Sequence, residues 1–92
     1  MINGLKNGNT ATFKSNCRVA LVFFTNVISE YSGEGVYFIV RNDNTNYVKV
    51  VKVAVDLDTH ISVNSVSWAD GIFTFDITHN TDYYWYRMLE IT

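Results

Sequence analysis

The stretch that decides the fold is Ser65-Val66-Ser67-Trp68-Ala69-Asp70-Gly71-Ile72-Phe73-Thr74-Phe75-Asp76-Ile77. Polar and apolar residues alternate on both sides of Asp70-Gly71. A two-residue Asp-Gly loop favours a type I′ turn, because both central positions need positive φ. Such a turn pairs Ala69 with Ile72, Trp68 with Phe73, Ser67 with Thr74 and Val66 with Phe75. That register gathers Val66, Trp68, Phe73 and Phe75 on one face and leaves Ser67, Thr74 and Asp76 on the other. Turn chemistry and pattern agree on a hairpin with one buried face and one wet face.

The composition extends this reading to the whole chain. Val and Ile number 19, against 8 for Ala and Leu together. β-Branched side chains lose rotamer freedom in helices and pack well on pleated surfaces. No window shows an apolar stripe at helical spacing. Strands are expected at Thr10–Lys14, Arg18–Asn26 (running on towards Ile28), Val36–Arg41, Tyr47–Val55 and Tyr83–Ile91, with a short one at Ile61–Val63. The apolar phase of the Tyr47 strand changes between Val50 and Val51, which points to a bulge or a change of face. The expected fold is all-β: a small antiparallel, jelly-roll-like sandwich of about seven or eight strands. Ninety-two residues make one domain. Residues 1–9, with two Asn-Gly pairs, read as a flexible lead-in, and 10–92 as the sandwich. Proline is absent, so sheet edges need charge, bulges or neighbouring chains to guard them.

Several strands are apolar on both faces: Val19-Ala20-Leu21-Val22-Phe23-Phe24, Val36-Tyr37-Phe38-Ile39-Val40 and Tyr83-Tyr84-Trp85-Tyr86. A chain this small builds one core, not two. The second faces call for cover from another copy of the chain. Each large apolar side chain that finds cover gains about 1.5–3 kcal/mol.

Catalytic and metal signatures are weak. The single cysteine, Cys17, excludes an internal disulfide. Cys17 with His60 or His79 is a conceivable nucleophile and base, but nothing in the spacing brings them together, and a small core thiol accounts for Cys17. There is no Gly-x-Ser-x-Gly elbow and no phosphate loop. Asp56, Asp58 and His60 alternate as metal ligands on an extended segment would, and Asn42 to Asn46 is oxygen-rich, yet both fit ordinary polar turns. The chain is read as non-catalytic, without cofactor or metal. Arg18, Arg41, Lys49 and Lys52 share strands with Tyr47, as a nucleic-acid stacking platform would need. The net charge of −2 opposes that use, and edge lysines that block aggregation explain the pattern. No run of 18 apolar residues offers a membrane span, and the N-terminus lacks the basic-then-apolar pattern of a signal peptide.

The runs Arg18–Thr25, Gly35–Arg41, Val63–Trp68 with the Asp70-Gly71 hairpin, and Tyr83–Ile91 together resemble the small C-terminal β-sandwich head domains of bacteriophage tail fibres, head fibres and related receptor-binding proteins. The likeness is one of strand pattern over about residues 10–91. It implies a virion module that forms a homo-oligomer, a trimer by preference, and presents loops to a host-surface glycan or protein. Heads of that family follow a long shaft, whereas here a short Asn/Gly lead precedes the domain. Ligand-facing residues are expected in loops carried on the rigid scaffold: Tyr31 and Glu34, Asp43 and Asn44, and His79 and Asp82. The rival reading is a virion decoration or baseplate protein that binds other virion proteins and no sugar.

Overall fold

The computed structural model describes residues 2–6, 8–25, 35–42, 47–55, 61–79 and 84–92. Eight strands are described: β1 (Ile2–Lys6), β2 (Thr10–Lys14), β3 (Val19–Thr25), β4 (Gly35–Arg41), β5 (Val48–Val55), β6 (Ile61–Ala69), β7 (Ile72–His79) and β8 (Tyr84–Glu90). Among the described residues there is no helix. The strands form two antiparallel sheets, in the orders β1-β8-β3-β4-β5 and β2-β7-β6. The chain is an all-β sandwich.

The deciding hairpin has the register its turn dictates. Ala69 faces Ile72, Trp68 faces Phe73, Ser67 faces Thr74 and Val66 faces Phe75. Asp70 and Gly71 have φ of 53° and 83°, as a type I′ turn requires. Phe73 and Phe75 are fully buried, and Val66 and Trp68 pack against them.

Nested pairings β1·β8 and β2·β7 are those of a long hairpin rolled up on itself, the basis of a jelly roll. A full roll would set β3 against β6. Here β3 pairs with β4 and β6 with β7, so these neighbours close as successive hairpins.

Two differences from the sequence reading come from bulges. Ile61–Val63 is not a separate strand. It continues into the hairpin as β6, and Asn64 is the extra residue where the register shifts between Val63 and Ser65. The bulge moves the inward phase from Ile61 and Val63 to Val66 and Trp68. In β5 the shift falls at Val53, between the pairs Tyr37–Lys52 and Val36–Ala54, rather than at Val50 and Val51. A third difference is at the N-terminus. Ile2–Lys6, read as part of a lead-in, pairs with β8 from Met88 to Tyr84. A Cβ on Gly4 would fall 2.9 Å from the Tyr86 hydroxyl, so only glycine leaves that ring its place.

The core is aromatic and joins the sheets. Phe13 of β2 and Phe75 of β7 meet edge-on at 5.1 Å, and Phe24 of β3 stands 5.8 Å from Phe75. Edge-to-face pairs of this kind add about 0.5–1.5 kcal/mol beyond the area they bury. Ala20, Val22, Ile39, Ile61, Ile77 and Met88 fill the space around them.

Candidate functional site

Alternation fixes what lies on the other side of the five-stranded sheet. Ala20, Val22 and Phe24 of β3, Tyr37 and Ile39 of β4, and Tyr84 and Met88 of β8 point into the core. Their neighbours Leu21, Phe23, Phe38, Val40, Trp85 and Leu89 therefore lie on the outer face. The register aligns one row across four strands: Leu89 opposite Leu21, Leu21 opposite Phe38, and Phe38 opposite Val51. Leu89 is 39% exposed and Val51 50% exposed, with Leu21 and Phe38 half-buried between them. No described residue caps this row.

Towards the start of β3 and the β4–β5 connection, the face deepens into an open groove of about 680 Å³. Arg18, Phe38, Val40, Arg41, Asn42, Tyr47, Lys49 and Val51 line it. Val40, Val51 and Phe38 form an apolar floor. The Tyr47 ring stands open to solvent, 65% exposed. Arg18, Asn42 and Lys49 are exposed polar groups around it. Among the described residues, its lining includes the cationic side chains of Arg18, Arg41 and Lys49.

The wall that carries Arg18 is rigid for a visible reason. The crossover from β2 to β3, Ser15–Arg18, is held by side chains from both sheets. Trp68 Nε1–H donates to the Ser15 carbonyl at 2.9 Å. Arg41 Nε–H donates to the Cys17 carbonyl at 2.8 Å, and its two terminal nitrogens donate to the carbonyls of Asn16 and Asn42. The Cys17 amide donates to Ser15 Oγ, which itself donates to the Glu90 carboxylate. The Arg18 amide donates to the Thr92 carbonyl, and the Arg18 carbonyl accepts from the Arg41 amide. At the opposite rim, the Asn42 amide donates to the Tyr47 carbonyl at 3.2 Å, closing the mouth of the β4–β5 connection. Arg41 is thus a buried cation satisfied by carbonyl dipoles and by the Trp68 ring beneath it.

Of the loop residues expected to face a ligand, His79 lies within the described structure. It ends β7 rather than opening a turn. Its Nε2 sits 2.8 Å from the Gly8 carbonyl, and its ring packs on Tyr84 at 5.0 Å. Tyr31, Glu34, Asp43, Asn44 and Asp82 lie outside the described residues, as do Asp56, Asp58 and His60. Cys17 is buried beside the Asp70-Gly71 end of the sandwich, where the Ser15 amide meets the Gly71 carbonyl. His79 is at the far end of β7, roughly 20 Å along the strand. They do not form a pair. Among the described residues no three His, Cys, Asp or Glu side chains converge as a metal site would need.

The structure does bring together Arg18, Arg41, Lys49 and Tyr47, four of the five residues grouped above as strand-borne cations with an aromatic neighbour. Lys52 is also on β5 but outside the groove. The signal in the sequence was alternation: Tyr47, Lys49 and Val51 share one face of one strand. What it lacked was the cross-strand register that sets Val40 opposite Lys49. No protein-family model, curated protein or solved structure matches the chain.

Proposed function

We propose that the protein is a non-catalytic, self-assembling binding module of the bacteriophage fibre-head kind, acting on the virion by holding a host-surface glycan or protein. The observation that carries this reading is the outer row Leu89–Leu21–Phe38–Val51. It is an apolar strip across four strands, on the face a lone sandwich would turn to water. Covering it with a second copy removes that cost, at about 1.5–3 kcal/mol for each large side chain fully hidden.

The edges support face-on rather than edge-on association. β1 and β2, which border the two sheets on one side, are five residues each. β5 and β6 border them on the other side, and each carries a bulge, at Val53 and Asn64. Short and bulged edges resist strand addition. The available contact is the outer face over β8 and β3, with Trp85, Leu89, Leu21 and Phe23. A closed ring, such as a trimer, hides that face on every copy and leaves none to propagate a fibre.

Analytical ultracentrifugation of the wild type and of Leu89→Lys tests the reading. Leu89 is exposed, so the variant keeps the fold. A defined oligomer that Leu89→Lys dissociates supports the module. A wild-type monomer at every concentration overturns it.

A further inference from the structure

The outer face of the five-stranded sheet exposes apolar side chains towards both of its sides. Leu89 on β8 and Ile91 just beyond it stand open at one side. Val40 on β4, 41% exposed, and Val51 and Val53 on β5, 50% and 56% exposed, stand open at the other. Among the described residues, the three-stranded sheet exposes Ile72 as its large apolar side chain. Leu21 and Phe38 lie half-buried between the two sides, in the row that runs from Leu89 to Val51. The face is one apolar surface with two unlike halves, β8–β3 and β4–β5.

Symmetry decides how such halves can be used. A two-fold contact pairs a patch with itself, whereas around a three-fold or higher axis each contact joins two different patches. Setting β8–β3 on β8–β3 would hide Leu89 but leave Val40, Val51 and Val53 in water on every copy, and their burial would be forgone. We infer that the copies meet head to tail, the β8–β3 half of each packing on the β4–β5 half of the next around a closed ring. This rests on the self-assembly reading and names the second surface, the one that covers the first.

Shape supports the pairing. The β8–β3 half carries bulky side chains, Trp85, Leu89, Leu21 and Phe23, whereas the exposed residues of the β4–β5 half are the shorter valines. Large side chains facing small ones interdigitate, and two bulky surfaces would hold each other apart. Lys49, opposite Val40 in register, sits at the margin, where its charged head can stay in water while its stem adds apolar surface. Three sheets facing a common axis, like the walls of a triangular prism, bring the β8 side of each against the β5 side of the next. Each half is then used once, and none is left to add a further copy.

The test uses cysteines placed on the two halves of the full chain. Leu89 and Val51 are separated by three strand spacings of one sheet, about 14 Å, too far for a disulfide within one chain. Cys17 is buried, and wild type oxidised in parallel controls for it. Sedimentation before oxidation gives the oligomeric state of every variant. In co-expressed Leu89→Cys and Val51→Cys chains, oxidation is expected to link residue 89 of one copy to residue 51 of another, and either variant alone should give about tenfold less linked dimer. The double variant should give a ladder that runs past two chains to the full ring. Val51→Lys should weaken association by about tenfold or more, as Leu89→Lys does. Leu89→Cys linked mainly to itself, a double variant that stops at two chains, or a Val51→Lys that sediments like wild type would overturn the head-to-tail contact and leave assembly standing. An intact oligomer with neither link would also overturn it and give the β4–β5 half to another partner. A wild type that is monomeric at every concentration would remove the assembly reading itself, and this contact with it.

Discussion

The guanidinium carbon of Arg41 lies 3.9 Å from the centroid of the Trp68 ring. Arg41 ends β4 in the five-stranded sheet, and Trp68 lies on β6 in the three-stranded one. Both side chains donate hydrogen bonds to carbonyls of the Ser15–Arg18 crossover, Trp68 to Ser15 and Arg41 to Asn16 and Cys17. One contact thus ties the two sheets and the connection that feeds the groove wall.

Arg41→Leu is expected to lose about 3 kcal/mol of stability, because it leaves the buried Cys17 carbonyl and the partly buried Asn16 carbonyl without their donor. Arg41→Lys keeps the charge but not the planar fork, so it should recover only part of the loss. Urea melts of both variants check the order. Equal stability of wild type and Arg41→Leu would show that the crossover does not need the pin.

The turn makes a separable prediction. Gly71 has φ of 83° and Asp70 of 53°. Gly71→Ala should cost about 1–3 kcal/mol, since an L-residue is strained there. Asp70→Asn should be nearly neutral, since Asn tolerates the same left-handed backbone. Thermal unfolding of the two single variants distinguishes them.

Much of the fold was legible because local signals agreed. The Asp70-Gly71 turn and the alternation around it prescribe the same register, and the structure has it. Where a bulge intervenes, alternation misleads. Ile61 and Val63 have opposite parity to Val66 and Trp68, and only pairing with β7 shows that Asn64 is an extra residue in one continuous strand. β1 was hidden for a different reason. Gly4 breaks its pattern, and the need for glycine comes from Tyr86, more than eighty residues away in sequence. The groove was half legible. Tyr47 and Lys49 show their shared face in the sequence, whereas Arg18 and Val40 join them only through sheet order.

Tyr84 is fully buried, and its hydroxyl has no hydrogen-bond partner among the described residues. Burial pushes its pKa up to about 12 from an ordinary 10.0. Between those values the unfolded chain releases the phenol proton while the folded chain keeps it. The unfolded state then binds fewer protons, so stability falls as pH rises through that window. Tyr84→Phe should flatten this alkaline decline. It should also stabilise the protein at neutral pH by about 1 kcal/mol, because a buried hydroxyl without a partner is removed. Chemical denaturation at pH 7 and across the alkaline range measures both effects. A destabilised Tyr84→Phe at neutral pH would mean that the hydroxyl is satisfied.

Assembly through β8 and β3 has a salt signature of its own. The outer residues of these strands are almost wholly apolar, with Arg87 the charged one among them. Self-association driven by apolar burial should persist, or strengthen, as sodium sulfate is added. An oligomer held by surface ion pairs would instead loosen as salt screens them. Light scattering against salt concentration separates the two.

The claim on which the account turns is that the β8–β3 part of the outer face, with Leu89 and Leu21 at its centre, is covered by another copy of the chain. Sedimentation velocity over a wide concentration range, on wild type and Leu89→Lys in parallel, measures it directly. The account predicts a discrete oligomer for the wild type and a folded monomer for the variant. A wild type that sediments as a monomer at the highest concentration, or a Leu89→Lys that sediments like the wild-type oligomer, would contradict it.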